Sequence, residues 1–351
     1  MDGLAINSRM EASVAGAGQA PAGWGEFLAR HPEATIYHDS RWGAVFQESY
    51  KFRPIYLTAG GPAPIRGTLL LVRQKAFSGK ARWCSLPYFD GSGILADDSV
   101  VANSLLNAAE KLCRERRRQT LEIRQYQPLG LDLPTRGDKV TLVLGLPPNS
   151  EQLWAQVGAK VRNLVRKAEK SELAARQGGS ELLPWFYEVY ARTMRDLGSP
   201  PHSLRFFQIL SRYFSQEVRV YAVSKDTQPL AAGLALRDRQ ILRVPWAGND
   251  WRYRNLNANM LLYWTMLKDA CEQGVNKFDF GRSTRDSGTY HFKTQWGATE
   301  VPLAWHIFQD APEKAALADP HQKYATLVRA WKKLPLCLSN WLGPRIIRRF
   351  S

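Results

Sequence analysis

The chain has 351 residues, 44% of them hydrophobic and twelve of them Trp, which suits two packed domains and excludes a disordered or fibrous protein. Forty-eight Lys and Arg stand against 32 Asp and Glu, a formal charge of +16, so the partner should be anionic: nucleic acid, a phosphate-bearing substrate or an acidic membrane surface. Cys84, Cys113, Cys271 and Cys337 are scattered without C-x-x-C spacing, which excludes a disulfide framework and a zinc site and fits a reducing, cytoplasmic setting.

Residues 1–21 are Ala/Gly-rich, lack the apolar core of a secretory signal and read as a flexible leader. Residues 22–149 form the first expected domain. From Trp24 to Phe46 the pattern is helix, turn, helix, anchored by Trp24, Phe27, Trp42 and Phe46. Strands follow at 53–59 and 67–74, parted by the breakers Gly60-Gly61-Pro62-Ala63-Pro64.

The chain then repeats itself. Gly67-Thr68-Leu69-Leu70-Leu71 matches Gly233-Leu234-Ala235-Leu236, and the X-Pro-aromatic turn Leu86-Pro87-Tyr88 matches Val244-Pro245-Trp246. Ala102-Asn103-Ser104-Leu105-Leu106 opens a helix, as does Ala258-Asn259-Met260-Leu261-Leu262. Each helix leads to a strand with an acid, Leu121-Glu122-Ile123-Arg124 in the first copy and Phe278-Asp279-Phe280-Gly281-Arg282 in the second. Four matches in one order indicate two copies of one α/β unit.

Residues 150–310 form the second expected domain, beginning with a long basic helix from Ser150 to Arg176. Arg162, Arg166 and Lys170 recur every fourth residue and share a ridge, either a solvated face or an anion-binding one. Pro184 starts another helix that runs through Met194. The richest segment comes after the strand at Lys277–Phe280: a glycine, a polar loop, then Gly288-Thr289-Tyr290-His291-Phe292-Lys293 and Trp296-Gly297. So many different polar groups on a short loop indicate a site. The first copy keeps the acid-bearing strand and lacks the Gly-Thr-Tyr and Phe-Lys elements beyond it. Asp279 therefore reads as scaffold, and the weight falls on Arg282 and on Tyr290 to Lys293.

There is no G-x-S-x-G elbow, no H-E-x-x-H, no phosphate-binding G-x-x-x-x-G-K-[ST] loop and no metal-ligand spacing. Group transfer without a covalent intermediate fits better, since it needs only donor binding, acceptor orientation and a cation or N–H for the oxyanion. The last segment, residues 311–351, is a basic amphipathic tail. From Trp331 onward it holds five Lys/Arg and no acid among Leu336, Leu338, Trp341, Leu342, Ile346, Ile347 and Phe350. It suits either a membrane interface or docking on the protein's own surface.

The run Arg162-Asn163-Leu164-Val165-Arg166-Lys167-Ala168-Glu169-Lys170 resembles the R-x-x-x-R-K-A-x-K helix of the FemAB-type peptidyl and acyl transferases. Phe278-Asp279-Phe280-Gly281-Arg282-Ser283 through Trp296-Gly297 resembles their C-terminal signature, and the tail resembles the subgroup found with exosortase (PEP-CTERM) exopolysaccharide systems. The resemblance implies an α/β (α+β) protein of two tandem GNAT-like domains, each a mixed twisted sheet flanked by helices. It implies transfer of an acyl or aminoacyl group from an activated donor to an amine or hydroxyl of a cell-envelope or exopolysaccharide precursor. Lys293, Phe292 and Tyr290 would lie at the transfer site. Arg162, Arg166, Lys167 and Arg282 would hold the precursor or donor phosphates, and Trp246 is a further substrate-binding candidate. No tightly bound cofactor and no metal is expected; the co-substrate would be acyl-CoA or aminoacyl-tRNA, and the acceptor an anionic, nucleotide-linked or envelope precursor. The turn Trp251 to Asn257 lacks the glycine-rich loop of acetyl-CoA enzymes, which argues against acetyl-CoA itself. Cytoplasmic placement is expected, with peripheral contact at the inner membrane face through residues 331–351. The alternative is a non-catalytic binder of nucleic acid or anionic lipid.

Overall fold

The computed structural model describes residues 12–15, 19–60, 64–75, 79, 81–115, 120–126, 135–137, 139–309 and 325–350. The chain divides into two compact units, Met1–Thr135 with Ala304–Glu313 and Arg136–Leu303 with Lys314–Ser351.

In the first unit, α1 (Trp24–Arg30), a 3-10 turn (Ile36–His38) and α2 (Arg41–Tyr50) precede the sheet. Their anchors Trp24, Phe27, Trp42 and Phe46 are all buried. The sheet joins β1 (Ser13–Ala15), β2 (Arg53–Gly60), β3 (Ile65–Lys75), β4 (Ala81–Cys84), β6 (Thr120–Gln125), β15 (Ala304–Gln309) and β7 (Thr135–Arg136) in that order, with β5 (Leu95–Ala96) on β3. Helix α3 (Ser99–Arg114) is capped by the Asp98 carboxylate, which accepts the Val101 N–H. Its stripe of Val101, Leu105, Ala109 and Cys113 packs on Leu57, Leu69, Leu71, Leu121 and Ile123 of the strands.

The second unit contains β8 (Lys139–Gly145), α4 (Ser150–Gln156), α5 (Ala159–Glu169), β9 (Ala174–Gly178), α6 (Leu183–Leu197), α7 (Leu204–Tyr213), β10 (Val218–Lys225), β11 (Gln228–Asp238) and β12 (Ile241–Asn249). It continues with α8 (Ala258–Glu272), β13 (Lys277–Thr284), α9 (Gly288–Thr294), β14 (Thr299–Pro302), α10 (Ala325–Trp331) and α11 (Leu336–Ile347). The strand order is β14-β8-β13-β12-β11-β10-β9.

The duplication is visible residue by residue. β2 and β10 have eight residues each, and β3 and β11 have eleven. Each hairpin is followed by an antiparallel strand, a helix and a strand that returns parallel. Both parallel ladders span three residue pairs, ending at Cys84↔Glu122 in one unit and Arg243↔Asp279 in the other. The two acids therefore share one structural position. The X-Pro steps do not: Leu86-Pro87-Tyr88 is a turn, whereas Val244-Pro245-Trp246 lies inside β12.

Four expectations are revised. Ser13–Ala15, placed in a flexible leader, pair with β2 instead; residues 1–11 and 16–18 of that segment lie outside the described residues. The division of units falls near residue 135 instead of 149, because β8 pairs with β13 and β14 in the second sheet. The long helix over 150–176 is broken: Val157 turns extended (φ −65°, ψ 135°) and Gly158 follows at ψ 146°. Arg162 then turns back to donate to the carbonyls of Trp154, Ala155 and Val157, at 3.2, 3.2 and 2.6 Å, and so closes the open end of α4. Residues Ala174–Gly178 pair with β10 as an edge strand. Finally, the strand expected to end at Gly281 runs on to Thr284, with that glycine inside it.

Candidate functional site

β12 has nine residues and β13 eight, yet their parallel ladder stops after Ile241↔Lys277, Leu242↔Phe278 and Arg243↔Asp279. Both strands bulge at the next step. Leu236 faces Arg243 and Leu234 faces Trp246, so Val244 and Pro245 together oppose Ala235. Asp279 faces Val143 and Arg282 faces Thr141, so Phe280 and Gly281 together oppose Leu142. A bulge bends its strand and raises the local twist, and Pro245 has no N–H with which to extend a ladder. Gly281 sits at φ +75°, and a Cβ there would lie 2.8 Å from the Val244 carbonyl oxygen. The β12–β13 ladder therefore ends at this step, with the Gly281 α-carbon against the Val244 carbonyl.

Buried charges hold the bulge. Asp279 Oδ1 accepts the Gly281 N–H at 2.8 Å and the Thr141 hydroxyl at 2.5 Å. Its Oδ2 accepts from Arg243 Nη1 at 2.9 Å, and Arg243 Nε donates to Asp238 at 2.9 Å. All three charged side chains are buried, and each has its opposite charge and hydrogen bonds in place, the condition under which such burial is tolerated. From the other side, Lys293 Nζ donates to the carbonyls of Gly281 and Arg282 at 2.7 and 2.9 Å. Gly281 is thus gripped at both its N–H and its C=O.

Lys293, only 7% exposed, is carried by α9, whose first turn is capped by Ser287 Oγ accepting the Tyr290 N–H. The expected aromatic–Lys pair is therefore helical. Phe292 packs edge-on against Tyr263 of α8 at 5.0 Å, and Tyr263 stacks on Phe280 at 5.5 Å, so Phe292 ties α9 to the core. Burial pushes the Tyr263 hydroxyl well up. The Tyr290 hydroxyl is also shifted up, by desolvation and by the Glu300 carboxylate that hydrogen-bonds it.

Beyond β12 the chain makes a 3-10 turn (Trp251–Leu256) and enters α8 through Asn257 at φ +56°. The first N–H groups of a helix have no partner within it, so this end is suited to an anion. Trp251 is 55% exposed and Arg254 is exposed beside it. Arg252 is held by Asp250 through contacts of 2.5–3.1 Å. Burial works to raise the Asp250 carboxyl, but the hydrogen bonds and charge of Arg252, with Arg192, outweigh it and hold the group below the usual range.

The remaining candidates sit elsewhere on the second unit. Arg282 is exposed on β13 opposite Thr141. Trp246 points its ring at His202, Phe206 and Phe207, with centroids 5.2–5.9 Å away. Arg162 is engaged with α4, Arg166 lies 5.5 Å from the Trp154 ring, and Lys167 is exposed on α5. The sequence reading missed Arg243, Asp238 and Thr141, which position the bulge. A signal existed for Arg243: a cation between Leu242 and Val244 in an otherwise apolar strand.

In the first unit the corresponding place is filled. Counting two residues on from the shared acid, Arg124 stands where Gly281 stands. Its side chain is 1% exposed, donates to Glu122 at 2.5 Å and to the Phe89 carbonyl at 3.1 Å, and lies 4.3 Å from the Trp305 ring. Its N–H goes to Ser85 Oγ and its C=O accepts from the Ser92 N–H. Beside this filled step, Gly91, Gly93, Ile94, Ser99, Gln125 and Tyr126 line a cavity of about 450 Å³ in the first unit.

A family model described as an acetyltransferase (GNAT) domain matches residues 156–294, a span that includes β12, α8 and β13. No curated protein matches the chain. Among solved structures, FemX is similar over 91% of this chain and 100% of its own, at 12% identity and a TM-score of 0.61. L-PGS from Bacillus licheniformis is similar over 91% and 99%, at 13% identity and 0.56. A tandem GNAT protein from the clavulanic acid biosynthesis pathway is similar over 87% and 100%, at 12% identity and 0.54. At these identities the likeness is one of fold: two GNAT-like units in tandem, each a mixed twisted sheet flanked by helices. Among the described residues no group of three or more His, Cys, Asp and Glu could hold a metal ion, and no helix is long and apolar enough to cross a membrane.

Proposed function

We propose that the second unit is an acyl- or aminoacyltransferase, and that β12 and β13 part beyond their paired bulge to leave a notch for the activated donor. The observation that carries this reading is the paired bulge, Val244–Pro245 on β12 and Phe280–Gly281 on β13, at which the ladder between two neighbouring strands stops. An extended acyl carrier can hydrogen-bond to such strand edges as a further strand would. The start of α8, with Arg252 and Arg254, suits the carrier's phosphates.

The reaction joins an acceptor nitrogen or oxygen to the donor's carbonyl carbon and breaks the carbon–sulfur or carbon–oxygen bond to the carrier. The acceptor's proton leaves with the carrier thiol or hydroxyl. Orientation and N–H groups aimed at the oxyanion supply the acceleration. Tyr290 and Phe292 border this site in the proposal. Lys293 has two main-chain carbonyls as partners, so its proposed work is to position the bulge. Acyl-CoA and aminoacyl-tRNA are both retained as donors; the GNAT-domain match favours the first, and the missing glycine-rich turn counts against acetyl-CoA itself.

The acceptor is proposed to be an amine or hydroxyl of an anionic cell-envelope or exopolysaccharide precursor, with Arg166, Lys167 and Arg282 on its phosphates. The fold likeness to FemX, the R-x-x-x-R-K-A-x-K run and the charge of +16 support this. The test is a transfer assay with purified protein, radiolabelled acyl-CoA or aminoacyl-tRNA, and lipid- or nucleotide-linked precursors as acceptors. Donor consumption that depends on acceptor is expected. If neither donor binds or is consumed, the transferase reading is wrong.

A further inference from the structure

The helices α10 and α11 offer the chain two different faces. One is docked within the second unit. Ser339, Gly343 and Ile347, four residues apart on α11, are buried, and α11 packs against α6. A Cβ on Gly343 would come 2.4 Å from Pro201, so the helix lies close. Arg195 of α6 donates to the Leu334 carbonyl at 3.0 Å. α10 rests where Gly198 ends α6, with Val328 against that glycine.

The opposite face of α11 is also apolar, and it is exposed. Leu338 is 44% and Trp341 58% exposed, three residues apart, with Arg345 one turn on. Arg345 lies 4.4 Å from the Trp341 ring and donates to the Trp341 carbonyl. Leu327 on α10 and Phe350 after α11 are exposed as well. Residues 331–350 carry Lys332, Lys333, Arg345, Arg348 and Arg349 and no acid. A helix that has already buried one stripe needs no second apolar stripe to fold.

We infer that this face of α10 and α11 binds the surface of an anionic lipid bilayer. Trp341, Leu338 and Leu327 would enter the headgroup–acyl boundary while the five cations meet lipid phosphates. The apolar residues decide for lipid over nucleic acid: phosphate contact alone would be served by the cations, and Leu338 and Leu327 would gain nothing from it. The helices lie in the plane of the surface. The inference stands whatever reaction the notch performs, and it means that an acceptor held in a membrane would be met there.

Cys337 is exposed next to Leu338, while Cys84, Cys113 and Cys271 are buried, so an environment-sensitive dye can be placed on α11 through a native thiol. The experiment titrates labelled full-length protein with vesicles of phosphatidylcholine alone, or with 30 mol% (about a third) phosphatidylglycerol. Flotation of unlabelled protein is measured in parallel. Binding and a blue shift with the anionic vesicles only are expected. Leu338→Ala with Trp341→Ala, and separately Arg348→Glu with Arg349→Glu, should each weaken partition on the order of tenfold or more. Leu338, Trp341 and Arg348 are exposed and Arg349 is half-buried, and unchanged thermal melts will show that the variants fold. The inference is overturned if anionic vesicles do not bind, or if they bind without a dye shift. It is equally overturned if the Leu338/Trp341 variant binds as well as the parent. Binding of tRNA but not vesicles through the same cations would assign the face to nucleic acid instead.

Discussion

The α-carbon of Gly281 faces the carbonyl of Val244 so closely that a Cβ would stand 2.8 Å from the oxygen. Two strands that are ladder partners one step earlier form no ladder pair at or beyond this contact. The close approach, and the notch proposed beyond it, therefore depend on a residue with no side chain held at φ +75°.

Gly281→Ala should consequently damage both stability and donor binding. A left-handed alanine pushed against backbone costs about 1–3 kcal/mol. Thermal melts and donor titration by calorimetry measure the two effects. Unchanged donor affinity in the alanine variant would remove the notch from the donor site.

Lys293→Met takes the ammonium from two main-chain carbonyls and should cost about 1–3 kcal/mol. For a positioning residue, turnover and donor affinity should fall together, and Lys293→Arg should restore part of both. Loss of turnover with normal stability and normal donor affinity would mean that Lys293 acts on the reacting carbonyl itself.

Asp279→Asn leaves Arg243 with one of its two carboxylate partners and weakens the hold on the Gly281 N–H. Breaking a buried ion pair in this way typically costs about 3–5 kcal/mol. Urea denaturation of the variant should show it. A change below about 0.5 kcal/mol, the usual range for surface positions, would show that the network is not structural.

The two copies should respond differently. Arg124→Met leaves Glu122 with Arg82 at 3.9 Å in place of a contact at 2.5 Å. The first unit should lose about 3 kcal/mol or more, while donor binding in the second unit stays as in the parent. Donor affinity that collapses with Arg124→Met at temperatures where the protein is folded would place the donor in the first unit.

His202 supplies a pH dependence. It is enclosed by Tyr190, Phe206 and Trp246, and burial lowers its pKa from 6.5 to about 3. Between those values the unfolded chain binds a proton that the folded chain refuses. The neutral ring's contribution is thus complete above about pH 6.5 and is lost as pH falls toward 3, at about 1.4 kcal/mol per pH unit. Urea midpoints followed by Trp fluorescence from pH 7.5 down to about 5 should fall for the parent and flatten for His202→Leu. Parallel curves for the two proteins would show that another group sets the acid limit.

Much of the frame was legible in the chain itself. The apolar periodicity located α1, α2, β2 and β3, and the matched order of motifs revealed the duplication that the three-pair ladders confirm. Long-range partners were harder to see. The break at Val157–Gly158 carries only one weak signal, a lone glycine, because the residue that makes it stable is Arg162, one turn into the next helix. Pro245 read as a turn because proline usually ends a strand; here it survives inside β12 at a bulge, where a ladder bond is already missing.

What the sequence alone determined was a basic chain, two copies of one α/β unit, and a second copy enriched in polar groups after its acid-bearing strand. Those features rest on composition, on local periodicity and on order along the chain. Tertiary structure decided what each copy does at the step after its acid and which residues hold it there. A bulge exists only by comparison with the strand beside it: Gly281 becomes one because β8 answers two residues of β13 with Leu142 alone. Arg124 and Gly281 occupy the same step of the repeat, but only their packing shows that the arginine is buried in its unit while the glycine lies against the Val244 carbonyl.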